Sequence, residues 1–190
     1  MRLLEERIQK DGVVIGTDIL KVDSFLNHQV DPLLLREMAE EFHRLFKEER
    51  VDRILTIEAS GIALAVLTAA CFGCPLVFAK KSRTANQSDS VYSAESYSFT
   101  HKTNNTIVVS KEYLHAGESV LIVDDFLANG CALRALRDIV LQAGAKPVGA
   151  GIAIEKAFQH GADGLRAEGM RIESLARIRS MSEKDGIEFC

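Results

Sequence analysis

Apolar residues fall along this chain in two rhythms. Short runs of adjacent apolar positions alternate with longer stretches in which they recur every three or four residues. The runs at 53–58, 75–79, 106–110, 120–123, 147–154 and 172–178 predict strands buried on both faces, with a further strand at 186–189. The periodic stretches predict helices over 3–10, 33–49, 62–72, 131–141 and 163–168. Asp31-Pro32 opens the second of these, with the Asp as N-cap and the Pro at the first helical position. Gly144 ends the fourth. Residues 13–27 follow neither rhythm and read as irregular, and 112–117 as a turn. The Ser-rich stretch 84–98 reads as a mobile loop that passes into an alternating edge strand near 91–99. Strand and helix in alternation predict an α/β fold: a twisted parallel sheet flanked by helices, with right-handed crossovers. There is no repeat and no long linker, so one domain is expected over 1–190.

The stretch that organises the rest is Val-Leu-Ile-Val-Asp-Asp-Phe-Leu-Ala-Asn-Gly-Cys-Ala, 120–132. The pattern places Asp124 and Asp125 where a buried strand leaves the core, then a loop of small residues, then a helix start at Gly130. Small residues let backbone amides approach an anion, and a helix N-terminus offers unpaired N–H groups and the positive end of a dipole. Phosphate on amides and hydroxyls on two carboxylates together describe a sugar phosphate. The competing reading is an ordinary turn with solvated acids. No Gly-Lys-Ser/Thr follows, so this is no Walker loop, and the three-glycine dinucleotide fingerprint is missing.

Ligands of open α/β sheets bind beyond the carboxyl ends of the strands. That rule gathers Glu58-Ala59-Ser60-Gly61, Lys80-Lys81, Asp124-Asp125 and Glu155-Lys156 on one rim. Ser60 and Gly61 could present amides and a hydroxyl to an anion, or be a plain turn. Lys80 and Lys81 could neutralise a pyrophosphate, or be solvated. Lys156 and Phe158 offer a cation and an aromatic face to a flat heterocycle, or are a surface Lys and a core Phe.

Charge and cysteine usage narrow the classes. With 190 residues and a net charge of −4, one domain with a sizeable core is expected, and no basic block stands out for nucleic acid or an anionic membrane. No apolar run spans a bilayer, and the charged amphipathic start is unlike a signal peptide, so a cytoplasmic location is expected. Cys71-Phe-Gly-Cys74 has redox or zinc spacing. It sits between a helix end and the next strand, however, and has no second ligand pair, so the thiols read as small apolar residues and no metal ligands are assigned. His28 and His43 are isolated, and no Ser/His/Asp set is present.

The stretch 120–130 resembles the phosphoribosyl pyrophosphate (PRPP) motif of type I phosphoribosyltransferases. That family more usually carries Thr and a Gly pair where this chain has Leu127-Ala128-Asn129-Gly130, which leaves backbone contacts to the phosphate. The irregular segment Asp18 to Pro32 closely resembles the hood of xanthine phosphoribosyltransferases, as do Ile57-Glu-Ala-Ser-Gly-Ile, Ile154-Glu-Lys and Glu173-Ser-Leu-Ala-Arg-Ile. Adenine enzymes share the core motif without this hood. The resemblance implies a hood of 1–30 with the C-terminal tail over a core of 31–178, and a homodimer. It implies catalytic Asp124 and Asp125, with xanthine on Leu20, Asn27, Lys156 and Phe158. PRPP would lie on Ala128, Asn129, Gly130, Cys131, Ala132, Ser60, Gly61, Lys80 and Lys81, with magnesium held mainly by PRPP itself. The loop around 82–98 would close over the reacting centre.

Base chemistry points the same way. Xanthine carries two ring oxygens and suits donors such as Lys156 and the Asn27 amide, whereas adenine's exocyclic amine wants an acceptor. The implied reaction forms xanthosine 5′-monophosphate and pyrophosphate. Use of adenine, guanine or hypoxanthine stays open, and so does a PRPP-sensing regulator that binds nucleic acid.

Overall fold

The structure, a computed structural model, describes residues 1–81, 90–98 and 103–190. The chain begins with α1 (Arg2–Asp11), a hairpin of β1 (Val13–Ile15) and β2 (Ile19–Lys21), and a π-helical turn, Asp23–Asn27. Then come α2 (Pro32–Phe46), β3 (Arg53–Ile57), α3 (Gly61–Phe72), β4 (Leu76–Ala79), β5 (Val91–Ser98) and β6 (Thr103–Ser110). The last part is β7 (Ser119–Leu127), α4 (Cys131–Gln142), β8 (Lys146–Lys156), α5 (Asp163–Ala167), β9 (Ile172–Ser182) and β10 (Gly186–Phe189).

Six strands make the central sheet in the order β10-β9-β8-β7-β3-β4. All neighbours are parallel except β10, which returns antiparallel to β9 at the edge. β5 and β6 pair separately as an antiparallel hairpin, joined to the sheet through a bridge between Lys80 and Val108. Of the closing loop expected around 82–98, residues 82–89 lie outside the described residues, whereas the edge strand expected near 91–99 is present as β5.

The sheet divides two cores. Leu121 and Val123 face a cluster that holds Leu4 and Ile8 of α1, Leu35, Met38 and Phe42 of α2, and Leu64 of α3. Val120 and Ile122 face the other, with Leu133, Leu136 and Ile139 of α4. All four of those β7 residues are fully buried. Each such side chain stabilises by about 1.5–3 kcal/mol relative to exposure, so β7 anchors the molecule.

Three expectations are corrected. β7 does not end at Val123: its pairing with β8 continues through Phe126 opposite Ile154 and Leu127 opposite Glu155, so the two acids lie within the strand. The apolar run stops early because buried carboxylates replace buried alkyl groups, while the backbone ladder persists. The segment 13–27 is not irregular but forms the hairpin and the π-helical turn, which bury Leu20, Val22, Phe25 and Leu26. Helix α2 stops at Phe46 rather than near 49.

The N-terminal elements lie over the β9 end of the sheet. The Met1 ammonium donates to the Leu175 carbonyl, and the Gly16 N–H donates to Glu183 at 2.8 Å. The Asp31 side chain accepts from the Leu33 and Leu34 amides at 3.1 and 3.2 Å, as an N-cap does, and also pairs with Arg7 at 2.8 Å. The Asp18 carbonyl accepts from Lys156 Nζ at 2.6 Å, which places the start of the 18–27 segment at the C-terminal end of β8. Among the described residues no helix is long and apolar enough to cross a membrane.

Candidate functional site

Asp124 and Asp125 are only 5% and 7% exposed. The Asp125 N–H donates to Asp124 Oδ1 at 3.0 Å. Burial, reinforced by the negative charge of Asp125, pushes the Asp124 carboxyl well above the usual carboxylate range, and the Lys81 charge opposes this. Gly61, at the start of α3, packs onto Asp124: a Cβ there would stand 2.8 Å from Asp124 Oδ1 and would collide with Thr56 Oγ1. The Thr56 hydroxyl is fully buried and has no hydrogen-bond partner among the described residues. Ser60 occupies the N-cap position of α3 without its hydroxyl capping a backbone N–H.

The turns after β3 and β4 are tied together. Glu58 N–H donates to the Ala79 carbonyl at 3.0 Å, and Glu58 Oε1 accepts from the Lys81 N–H at 2.7 Å. The Lys80 N–H donates to the Val108 carbonyl at 3.0 Å and its carbonyl accepts from the Val108 N–H at 2.9 Å, so its backbone belongs to the sheet edge. Lys81 is the cation of this pair that acts on Asp124.

The small-residue loop lies between β7 and α4. Gly130 takes φ +80°, a left-handed conformation that favours glycine, and serves as N-cap of α4. Asn129 Oδ1 accepts from the Cys131 N–H at 3.3 Å. The loop is backed by Gly161, where a Cβ would collide with the Ala128 carbonyl and stand 2.5 Å from Gly130 N. Two glycines thus let two backbone segments touch, and the exposed side of the loop presents the N-terminus of α4.

Lys156 ends β8. Its Nζ donates to the Asp18 carbonyl at 2.6 Å and lies 5.5 Å from the centre of the Phe126 ring. Burial pushes its ammonium below the usual lysine range. Asn27 Oδ1 is buried with no partner among the described residues. Leu20, Phe126 and Phe158 belong to one apolar cluster. The rim residues therefore fall into an acid pair with Gly61 and Lys81, a small-residue loop at 128–132, and a cation beside the Phe126 ring and the Asp18 carbonyl.

Glu155 is neither exposed nor part of that rim chemistry. At 2% exposure it accepts from Arg166 at 2.8 Å through each oxygen, from Ser174 Oγ at 2.5 Å, and faces Arg177 Nε at 3.3 Å. Burial alone would raise its carboxyl. The hydrogen bonds from Arg166 and Ser174 and the two arginine charges outweigh this and leave it below the ordinary range. Sequence reasoning missed Thr56, Gly161 and Arg166. Thr56 hides inside an apolar run, and the other two lie outside any motif. Cys71 and Cys74 are free, half-buried thiols pushed up by burial, which is the opposite of an activated thiol.

A sequence profile described as "Phosphoribosyl transferase domain" matches residues 21–164. A xanthine phosphoribosyltransferase of Lacticaseibacillus casei is 55% identical over 180 residues, 95% of this chain and 94% of that protein. One from Leuconostoc mesenteroides subsp. mesenteroides is 49% identical over 189 residues and covers both proteins in full. Among solved structures, adenine phosphoribosyltransferase from Rhodothermus marinus superposes with a TM-score of 0.76 at 21% identity, over 93% of this chain and 99% of that one. This last likeness is one of fold.

Proposed function

This chain belongs to the phosphoribosyltransferase family, and from that premise we propose that it transfers 5-phosphoribosyl from PRPP to N9 of xanthine. The products are xanthosine 5′-monophosphate and pyrophosphate, a purine salvage reaction. Relatives 49% and 55% identical carry the xanthine name across nearly their whole length. The observation that carries the base assignment is Lys156, a half-buried cation held between the Phe126 ring and the Asp18 carbonyl at the strand end next to the phosphate loop.

In this reading the 5′-phosphate lies on the amides of Ala128 to Ala132, at the positive end of the α4 dipole. Asp124 and Asp125 accept hydrogen bonds from the ribose hydroxyls. As the bond to pyrophosphate lengthens, positive charge grows at the anomeric carbon, and the two acids favour it. Lys81, with the Ser60-Gly61 turn and the backbone around Lys80, faces the departing pyrophosphate. The purine rests against Phe158 and Leu20. Lys156 donates to a ring oxygen, and the unpartnered Asn27 Oδ1 accepts a ring N–H. The N9 lone pair then forms the glycosidic bond as the C–O bond to pyrophosphate breaks, and the purine's N7 proton is released to solvent.

The acid pair offers hard oxygen donors of the kind magnesium takes, and would hold it through the ribose and pyrophosphate oxygens that carry it. When bound, magnesium neutralises the leaving group. The chain works as a homodimer, with residues 1–30 and the C-terminal tail as the hood over the base.

Purified protein supplied with magnesium, PRPP and, separately, xanthine, guanine, hypoxanthine or adenine tests the reading. Xanthine should give the highest kcat/KM, with one pyrophosphate and one xanthosine 5′-monophosphate per turnover. Release with adenine and none with xanthine would overturn the base assignment. A nucleic-acid mobility shift at physiological salt, with no turnover of any base, would favour the regulatory alternative.

A further inference from the structure

Helix α5 has five residues, far too few to hold itself as an isolated helix. It is pinned from two sides. Arg166 donates to Glu155 of β8 through both terminal guanidinium nitrogens at 2.8 Å, and also to the Ile172 carbonyl at 3.4 Å. On the other side Glu168, just past the helix, binds Arg134 of α4 at 2.8 Å and also Arg137. Just before α5 stands Gly161, whose backbone abuts the Ala128 carbonyl and Gly130 N. Ala162 and Leu165 are buried against the α4 core, so the segment has little room to slide.

The buried Glu155 thus has both its oxygens committed to Arg166 and Ser174. It is the neighbour of Lys156 in sequence, and it holds the arginine that fixes the backing of the phosphate loop. We propose that the Glu155–Arg166 pair is a positioning device for the 5′-phosphate: it pins α5, and with it Gly161, against Ala128, Asn129 and Gly130, so that the loop amides stay aimed at the phosphate. The inference rests on the reading that this loop takes the 5′-phosphate. A pair that served stability alone would act like Arg53–Glu118, which is similarly enclosed but joins the start of β3 to the turn before β7, at the opposite end of the sheet.

The test compares Arg166→Met, Arg166→Lys and Arg53→Met with the unaltered protein. The readouts are calorimetric binding of ribose 5-phosphate and separate KM values for PRPP and xanthine, all taken below each variant's melting transition. Arg166→Met should weaken ribose 5-phosphate binding roughly tenfold and raise the PRPP KM in step, while kcat and the xanthine KM move less than about twofold. Arg166→Lys keeps the charge but loses the fork, and should recover part of the affinity. Arg53→Met should lower the melting temperature and leave ribose 5-phosphate binding unchanged. Unaltered affinity in Arg166→Met would overturn the proposal. If that variant fails to fold, Arg166→Lys decides: a weakening of about threefold supports the proposal, and none overturns it. Failure of the unaltered protein itself to bind ribose 5-phosphate would instead overturn the reading of the loop, and this inference with it.

Discussion

Gly61 and Asp124 are in contact: a methyl group on Gly61 would stand 2.8 Å from Asp124 Oδ1. The turn after β3 thus sets where the buried acid of β7 can lie. Gly61→Ala should displace the carboxylate or the turn by several tenths of an ångström. We expect kcat/KM for PRPP to fall roughly 10- to 100-fold, since small misplacements at a reacting centre cost that much. Overpacking should also lower stability, by about 1–3 kcal/mol. Steady-state kinetics beside a thermal melt check both.

Asp124 carries opposite consequences for stability and turnover. Its folded-state carboxyl lies well above the usual value, chiefly through burial. The folded chain therefore holds a proton that the unfolded chain has released between the ordinary carboxylate value near 3.9 and the raised one. Stability attributable to this group falls as pH rises through that window, and the penalty is full above it. Asp124→Asn should melt higher than the unaltered protein at neutral pH, by about 3 °C, with the gap closing as pH falls towards 4. Turnover should drop roughly 100-fold or more. A melt at several pH values checks the sign; equal melting temperatures throughout would refute it.

Lys156→Met keeps the stem against Phe126 and removes the charge. A hydrogen bond to a charged group contributes about 1.5–3 kcal/mol, so the xanthine KM should rise roughly tenfold or more while the PRPP KM holds. Initial rates with each substrate varied in turn separate the two. A matched rise in both would mean that Lys156 supports the fold and not the base.

Leu121 is fully buried beneath the acid pair on β7. Leu121→Ala should cost about 2–5 kcal/mol by chemical denaturation. At temperatures where it stays folded, its KM values should be near those of the unaltered protein, because the side chain faces the core of α1, α2 and α3 and not the rim.

The architecture was legible because apolar runs and helical periods come directly from burial, and the parallel sheet imposes both. The rim followed from a single rule about strand ends, which puts Gly61, Lys81, Asp124 and Lys156 at one edge of the sheet. The limits were physical as well. Polar side chains ended the predicted strand at Val123 although backbone pairing runs on to Leu127, since a ladder needs no alkyl groups. Glu155 read as a rim acid because the sequence does not reveal that Arg166, Ser174 and Arg177 converge on it from α5 and β9. Gly161 matters through a close approach across the chain, which no local pattern encodes.

The position of PRPP in a crystal soaked with it, without base, tests the central claim most directly. The account predicts its 5′-phosphate on the amides of Ala128 to Ala132 and its ribose hydroxyls on Asp124 and Asp125. Density for PRPP away from Gly130, with those amides and carboxylates untouched, would contradict it.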